Sequence, residues 1–338
     1  MEYRPTKEQL ESLSFSIVVE TENLGMAGIA DLEQTLDSLK EQTYPITQAK
    51  EVLLIAGGHV SPETITLLHT KYPWAAVCVE SGDLEYTGAK MRGAERATGN
   101  IVVFADSDVV YDKTWLENML YTFMWAPGAS IVAGETRIRV VSIYTMAIQL
   151  IWMSNITSNN AYPRFARNFY LNNFAIKKDV MLSVPFFTKL PLYRSSIAEW
   201  IRLLKCRGYS IVQAPHAKGY HAPPGNFWDW WYRMLIFGAD EIVKADFYFS
   251  PDGTVVEKYS LARRFFNLGF FVAFKVYKFF LRSYYIVRER WTSIGRLVLS
   301  LPIVLVSSFV IFVGALITLC NRDYLFTKIT AREHEHVV

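Results

Sequence analysis

The stretch Ile101-Val102-Val103-Phe104-Ala105-Asp106-Ser107-Asp108 is an apolar, strand-forming run that ends abruptly in two carboxylates two residues apart. In a strand, residues i and i+2 point to the same side, so carboxylates placed just past a strand end can converge on one point. A divalent cation carrying a diphosphate suits such a point, because Mg2+ is commonly held by one or two carboxylates plus substrate phosphates. The tripeptide suits a helix cap or turn equally well, since Asp and Ser satisfy free backbone N–H groups there. The flanking chain decides between the two.

Upstream, apolar runs alternate with helical stretches. Phe15 to Thr21 is a short β-branched run that gives way to the turn-prone Asn23-Leu24-Gly25. Ile29, Leu32, Leu36 and Leu39 then recur at helical spacing, with Asp31 in the first turn. Val52 to Ala56 reads as a second strand. Ser61 and Pro62 open a helix as N-cap and first helical residue, with Ile65, Leu67 and Leu68 as its apolar face. Ala75 to Val79 is a third strand, and Gly88 to Ala97 a small-residue helix carrying Lys90, Arg92 and Arg96. Strands separated by helices in this way call for a parallel sheet covered on both faces. Ligands of such sheets bind beyond the carboxyl ends of the strands. Here those ends are Thr21-Glu22-Asn23, Ala56-Gly57-Gly58, Glu80-Ser81-Gly82-Asp83 and Asp106-Ser107-Asp108, all polar or glycine-rich.

The order Ser16 to Asn23, then Gly88-Ala-Lys-Met-Arg-Gly-Ala-Glu-Arg-Ala-Thr-Gly99, then Ile101 to Asp108 resembles a family 2 glycosyltransferase with the GT-A fold. The resemblance covers about residues 14 to 245 and is most specific between Gly88 and Asp108. It implies an α/β fold with a Rossmann-type, mixed but mostly parallel sheet and helices on both faces. It also implies a nucleotide-sugar donor and a Mg2+ or Mn2+ cofactor. By position, Thr21 and Asn23 would line the base pocket and Lys90 would sit near the diphosphate. Asp106 and Asp108 would serve donor and metal. The chain departs from the family pattern twice. Glu20 stands where a proline is expected after the first strand, and Ala56-Gly57-Gly58 replaces an Asp-Asp-Gly whose acid contacts the base or ribose. Glu22 and Asp83 are the acids at hand to supply that carboxylate.

Downstream, Trp115 to Leu120 continues as a helix and Ile131 to Ile138 as a strand. Ile143 to Met153 is apolar on almost every side and too short to span a bilayer. It is either a core helix or one that touches a membrane. Asn155 to Asn168 reads as a mobile loop, and Phe169 to Ile176 resembles the strand that follows the acceptor loop in the family. There Asn172 and Asn173 are either site residues or a turn. Glu199 stands in the first turn of the next helix, where the family carries an acid that acts as general base on the acceptor hydroxyl. His221, before Pro223-Pro224, matches a histidine near the donor phosphates and metal, and is otherwise a hydrogen-bonded structural residue. In Trp228-Asp229-Trp230-Trp231-Tyr232-Arg233 the arginine matches one near the diphosphate, where a bidentate phosphate contact is available to it. The tryptophans suit either an acceptor site or a membrane interface.

The C-terminal part changes character. Leu297 to Leu319 carries no charge and is long enough to cross a bilayer core. Phe265 to Val287 is aromatic, with Lys275, Lys278 and Arg282 on one helical face, as in a helix lying in the interface or a second span. Arginines 282, 288, 290 and 296 precede the apolar run and favour a cytoplasmic N-terminal side. These features divide the chain into an N-terminal extension (1–13), a catalytic domain (14–250), a linker with an interfacial helix (251–296), a transmembrane helix (297–319) and a polar tail (320–338).

Hydrophobic residues make up 51% of the 338 and aromatics 15%, enough for a large core with a membrane-facing excess. A net charge of +3 is too small to argue for nucleic acid. The cysteines Cys78, Cys206 and Cys320 lack metal spacing and do not form a disulfide framework. Met1 to Ser14 has no apolar core of a signal peptide. The expectation is therefore a membrane-anchored glycosyltransferase with a cytoplasmic catalytic domain and one or two C-terminal membrane helices. It would move a sugar, from a UDP-sugar in the first instance, to a lipid-linked acceptor with inversion. The alternatives are a catalytically lapsed relative acting as a membrane scaffold and a nucleotidyltransferase.

Overall fold

The computed structural model describes residues 7–22, 28–58, 60–80, 84–153, 162–187, 190–289 and 293–327. Asn23 and Asp83 of the expected base pocket lie outside the described residues, as does the 154–161 part of the expected loop.

Two strands, β1 (Phe15–Glu20) and β4 (Ile101–Asp106), are buried along their whole length and pair in parallel. Ile17 and Val19 face one hydrophobic cluster while Val18, Val102 and Phe104 face another. Burial on both faces explains why these strands are continuous apolar runs instead of alternating ones. β2 (Val52–Ala56) and β3 (Ala76–Val79) extend the parallel sheet outward from β1. β3 is the half-exposed edge. The helices Ile29–Lys40, Pro62–Lys71 and Tyr86–Arg96 are the crossovers. Ser61 caps the second of them by accepting from Thr64 N at 3.2 Å. Of that helix's expected apolar face only Leu68 is buried, and Leu67 is exposed because the sheet edge it covers is short.

Beyond β4 the sheet turns antiparallel. β8 (Asn173–Lys177) runs antiparallel to β4 and to β6 (Ile131–Arg137). β9 (Ile211–His221) lies parallel to β6, with a shift of register between Ala133 and Glu135. The far edge of β9 pairs with the short strands β5 (Val109–Tyr111) and β7 (Arg164–Phe165). The register shift is pinned by Asn173, whose Oδ1 accepts from Trp115 Nε1 at 2.7 Å. Its Nδ2 donates to the carbonyls of Glu135 at 3.0 Å and Ala217 at 3.1 Å. Gly134 is required beside it, because a Cβ there would stand 2.1 Å from Asn173 Oδ1. Asn173, the first residue of β8, is therefore a structural hub beside the irregularity in β6.

The helix Ile143–Ile151 is capped by a reciprocal Ser142–Thr145 box and belongs to the core. Its C-terminal carbonyls at Leu150 and Ile151 accept from the buried Arg282 guanidinium, a cation where the helix dipole favours one. The aromatic segment forms one helix, Leu261–Glu289, and the uncharged run another, Ile294–Cys320. The latter is 27 residues, about 40 Å at 1.5 Å per residue. It is long and apolar enough to cross a membrane by length and composition. One side of it packs against Ile143–Ile151 and the helix Phe227–Lys244, and all three contribute to one hydrophobic cluster. Leu299, Leu305 and Phe309 on the other side are exposed. The helices expected to be a separate anchor thus share a core with the expected catalytic domain.

That packing is unusually close. A Cβ on Gly238 would stand 1.8 Å from the Ile311 carbonyl oxygen, and one on Gly314 would stand 2.1 Å from that of Leu235. Trp230 Nε1 donates to Ser307 Oγ at 3.2 Å across the same seam. Overpacking a seam of this kind costs roughly 1–3 kcal/mol. Gly238→Ala and Gly314→Ala are each expected to lower the thermal midpoint of the detergent-solubilised chain. A midpoint unchanged in both would mean that the helices do not touch.

Candidate active site

The carboxyl ends of β1 and β4 set the first part of the site. Their register pairs Glu20 with Asp106, so both side chains emerge on the side covered by the helix Tyr86–Arg96. From that helix Lys90, with no exposed surface, reaches Asp106 Oδ1 at 2.5 Å. Tyr86 Oη donates to Asp106 Oδ2 at 2.8 Å. The Lys90 ammonium also lies over the Tyr86 ring, 4.7 Å from its centroid. The Asp106 backbone N–H donates to Tyr111 Oη at 3.0 Å, and that hydroxyl donates to the Asn172 carbonyl at 2.6 Å. Burial pushes the Asp106 carboxyl above the usual carboxylate range, against the pull of Lys90. Glu20 is pushed up further, by burial first and then by the charge of Asp106, with Lys90 and Arg194 pulling the other way. Arg194 also reaches this point, its guanidinium 3.5 Å from the Tyr86 ring centroid.

The second part is built where β5 meets β9. Their pairing sets Val109 opposite His221, and Ala222 N donates to the Asp108 carbonyl at 2.8 Å. Asp108 is thereby carried to the end of β9, with its Oδ2 at 3.3 Å from His221 Nε2. His221 Nδ1 lies 2.6 Å from the Ala222 carbonyl, which can only accept, so Nδ1 bears the hydrogen. In a neutral ring, Nε2 then turns a lone pair toward a carboxylate oxygen. Two acceptors at that distance are stable only with a proton or a cation between them. Asp108 Oδ1 is buried with no hydrogen-bond partner among the described residues, and so is Ser107 Oγ.

Imidazole and carboxylate are both ligands for divalent ions, and an orphaned carboxylate oxygen beside them fits one. Among the described residues, no group of three or more His, Cys, Asp or Glu side chains is placed to hold a metal without help from other ligands. The two carboxylates expected to converge, Asp106 and Asp108, differ in their partners. The chain turns at Ser107 and Asp108 between β4 and β5, so the strand rule stops at Asp106. Both oxygens of Asp106 are engaged by Lys90 and Tyr86.

Two further charges face this point. Asp31, in the first turn of Ile29–Lys40, has its carboxyl raised by partial burial and by the charge of Asp108, with His221 and Arg233 opposing. Arg233 lies 5.4 Å from the Trp152 ring centroid, and its Nε has no partner among the described residues. The helix that carries it, Phe227–Lys244, is capped by Asn226, which accepts from Asp229 N at 3.0 Å. Two turns after Arg233, Asp240 accepts the backbone N–H groups of Tyr193, Arg194 and Ser195, each at 2.7 Å. One helix therefore positions both Arg233 and Arg194.

Other expected site residues are placed differently. Thr21 is buried and its hydroxyl donates to the Ile55 carbonyl at 3.1 Å, which ties β1 to β2. Glu22 is half-buried, with its N–H on Glu20 Oε2 at 2.7 Å. Glu199 forms ion pairs with Arg202 at 2.8 Å and Lys244 at 3.2 Å. Burial alone would raise its carboxyl, but hydrogen bonds from Arg202 and the charge of Lys244 bring it below the usual range. A carboxylate so neutralised is a poor proton acceptor. No described contact joins Glu199 to Asp106, Asp108 or His221.

Sequence reasoning did not place Glu20, Asp31, Tyr86, Tyr111 or Arg194 in the site. A carboxylate at the end of an otherwise apolar buried strand was the available signal for Glu20. For Tyr86 and Asp31, the signal was a first-turn position just past a strand end.

A sheet covered on both faces, with charged groups gathered at its carboxyl ends, is an arrangement in which α/β proteins bind ligands. The family model described as Glycosyl transferase family 2 matches residues 14–187, just over half of the chain, and the chain belongs to that family of glycosyltransferases. It is similar to Glycosyltransferase AglE of Haloferax volcanii, at 24% identity over 194 residues. That match covers 56% of this chain and 62% of the relative, so the chain spans less than two thirds of the relative's length. A crystal structure of GalNAc-T7 with UDP, GalNAc and Mn2+ matches 69% of this chain and 51% of that one, with 13% identity and a TM-score of 0.47.

The raised carboxyl of Glu20 has a pH consequence. Its folded-state proton affinity exceeds that of the unfolded chain, so its contribution to stability is full in acid and is lost as pH rises through the folded-state value. Glu20→Gln, which copies the protonated form, is expected to melt higher than wild type at pH 8 and no higher at pH 4. Equal melting curves at both pH values would show that Glu20 does not titrate in this range.

Proposed function

We propose that this chain moves a sugar from a nucleotide-sugar donor to a lipid-linked acceptor at a membrane surface, with UDP-sugar as the first donor to test. The observation that carries the reading is the pairing of His221 Nε2 with Asp108 Oδ2, beside an orphaned Asp108 Oδ1 at the end of the sheet. Asp108 and His221 would hold Mg2+ or Mn2+. Bound there, such an ion would neutralise charge developing on the leaving diphosphate.

The chain's own residues divide the remaining work. Lys90 and Tyr86 fix the Asp106 carboxylate so that it meets the donor's hydroxyl groups in one orientation. Glu20 lies beside it as the acid available to the base or ribose in place of the missing Asp-Asp-Gly. Arg233 binds a phosphate oxygen of the donor, and the Trp152 ring beneath limits its movement. In a single displacement the acceptor's hydroxyl oxygen attacks the anomeric carbon opposite the diphosphate, and its proton passes to water. The bond from that carbon to the diphosphate oxygen breaks, and the electron pair leaves with the diphosphate, which inverts the centre.

Membrane attachment is supported by the apolar outer face of Ile294–Cys320 and by exposed Phe266, Phe270, Tyr277 and Phe280 along Leu261–Glu289. The arginines that precede the apolar helix favour a cytoplasmic site. A second reading, a lapsed scaffold that binds donor without turnover, is favoured by the ion pairs that occupy Glu199.

Asp108→Ala and His221→Ala are each expected to remove the Mn2+-dependent part of a UDP-induced thermal shift, with turnover down about 10²-fold or more. Retention of that shift in both variants would refute the metal site. For Glu199→Gln the expected change in turnover is within a few-fold. A loss in the range of about 10²–10⁴, which a true general base would produce, restores Glu199 to that role. Wild-type protein that shows the shift but no transfer to any lipid extract supports the scaffold.

A further inference from the structure

An apolar cavity of about 530 Å³ opens between the helix Ile294–Cys320, the helix Ile143–Ile151 and the first turn of Phe227–Lys244. Its walls are Tyr144, Phe227, Trp230, Pro302, Ile303 and Val306. The volume is that of an ordinary small-molecule site, yet the lining offers a ligand almost nothing but carbon surface.

Two observations indicate what it takes. The first is where it opens. Val306 and Phe227 line the cavity and are also more than half exposed, at 52% and 59%. Around that mouth, Val298, Leu299, Leu305 and Phe309 form a continuous exposed apolar face on the helix that is long enough to cross a bilayer. The second is where it leads. Trp230 is one helical turn before Arg233, on the same side of the helix. Tyr144 is close enough to Arg233 and Asp229 to feel both charges. Its hydroxyl donates to the Pro224 carbonyl at 2.9 Å and so closes the inner wall. The cavity therefore opens on the apolar outer face, and its Trp230 wall lies one helical turn from Arg233.

We propose that this cavity holds the hydrocarbon chain of the lipid acceptor, with the acceptor's polar head at Arg233 and the His221–Asp108 point. This inference rests on the lipid-acceptor reading above. Pro302, which lines the cavity, lacks the N–H of an intrahelical hydrogen bond. The chain enters laterally past Val306, so the lipid need not leave its apolar surroundings for the head to reach the sugar donor.

The test is photo-crosslinking of the full chain in detergent micelles with farnesyl phosphate carrying a terminal diazirine, mapped by peptide mass spectrometry. Labelling is expected at 144, 225–230 and 302–306, and to be competed by unlabelled farnesyl phosphate. Ile303→Trp fills the cavity and is expected to reduce that labelling about tenfold, the effect of displacing two methylene groups' worth of buried chain. Val306→Phe, at the exposed rim, is the second variant should Ile303→Trp not fold, and its expected direction is the same. Label confined to Leu299, Leu305, Phe309 or the Leu261–Glu289 helix identifies a surrounding lipid only and overturns the proposal. Cavity label that persists undiminished in a folded Ile303→Trp or Val306→Phe protein overturns it as well. The UDP and Mn2+ thermal shift fails or succeeds separately. A shift without cavity label sinks the chain site alone, and cavity label without a shift sinks the donor reading alone.

Discussion

The ion pair between Lys90 and Asp106 is the constraint around which the rest of the molecule is arranged. An ammonium with no exposed surface is tolerable only when its charge is answered at contact distance. Asp106 supplies that answer from the last residue of the central strand, and Tyr86 completes it from the helix that carries the lysine. This explains why helix Tyr86–Arg96 must lie tightly over β1 and β4. A Cβ on Gly93 would stand 2.2 Å from a methyl group of Val18, so only glycine permits the approach. Removing either partner would leave a buried charge uncompensated, which is typically worse than having no pair at all.

The half of the sheet that precedes Asp108 was legible in the sequence, and its physics says why. β1, β2 and β4 are buried on both faces, so each is a plain apolar run, and one of the helices between them, Pro62–Lys71, opens on a capping serine. The antiparallel half was less legible. β5 and β7 have three and two residues, too few for any pattern, and exist because the long β9 offers them an edge. The site divides in the same way. Asp106, Asp108, Lys90, His221 and Arg233 stood at recognisable positions, whereas Glu20 read only as an unexpected residue in place of proline. Glu199 could not be judged from its own neighbourhood, since one of its two partners, Lys244, arrives from another helix far along the chain.

Phe227–Lys244 links the two halves of the molecule. Its polar side presents Arg233 near His221, holds the Arg194 segment through Asp240, and ends in the Lys244 that fixes Glu199. The strip of the helix next to that side carries Trp230 and Gly238 into the seam with Ile294–Cys320. A second clamp lies at its C-terminal end, where Asp246 is gripped by Arg264 and approached by Arg322 from beyond the apolar helix. Local sequence made the apolar helix look like a tether. The seam and the clamp make it a wall of the same body as the site.

The glycine seam has a mechanical consequence. Helices that touch backbone to backbone at Gly238 and Gly314 have no side-chain cushion through which one can roll or slide against the other. The height of Arg233 along the Ile294–Cys320 axis is therefore set by backbone-to-backbone packing instead of by a flexible stalk. Any tilt of the apolar helix would swing the carboxyl end of the sheet through the same angle. The two helices act as a single lever, and the pitch of one decides where the charged groups on the other stand.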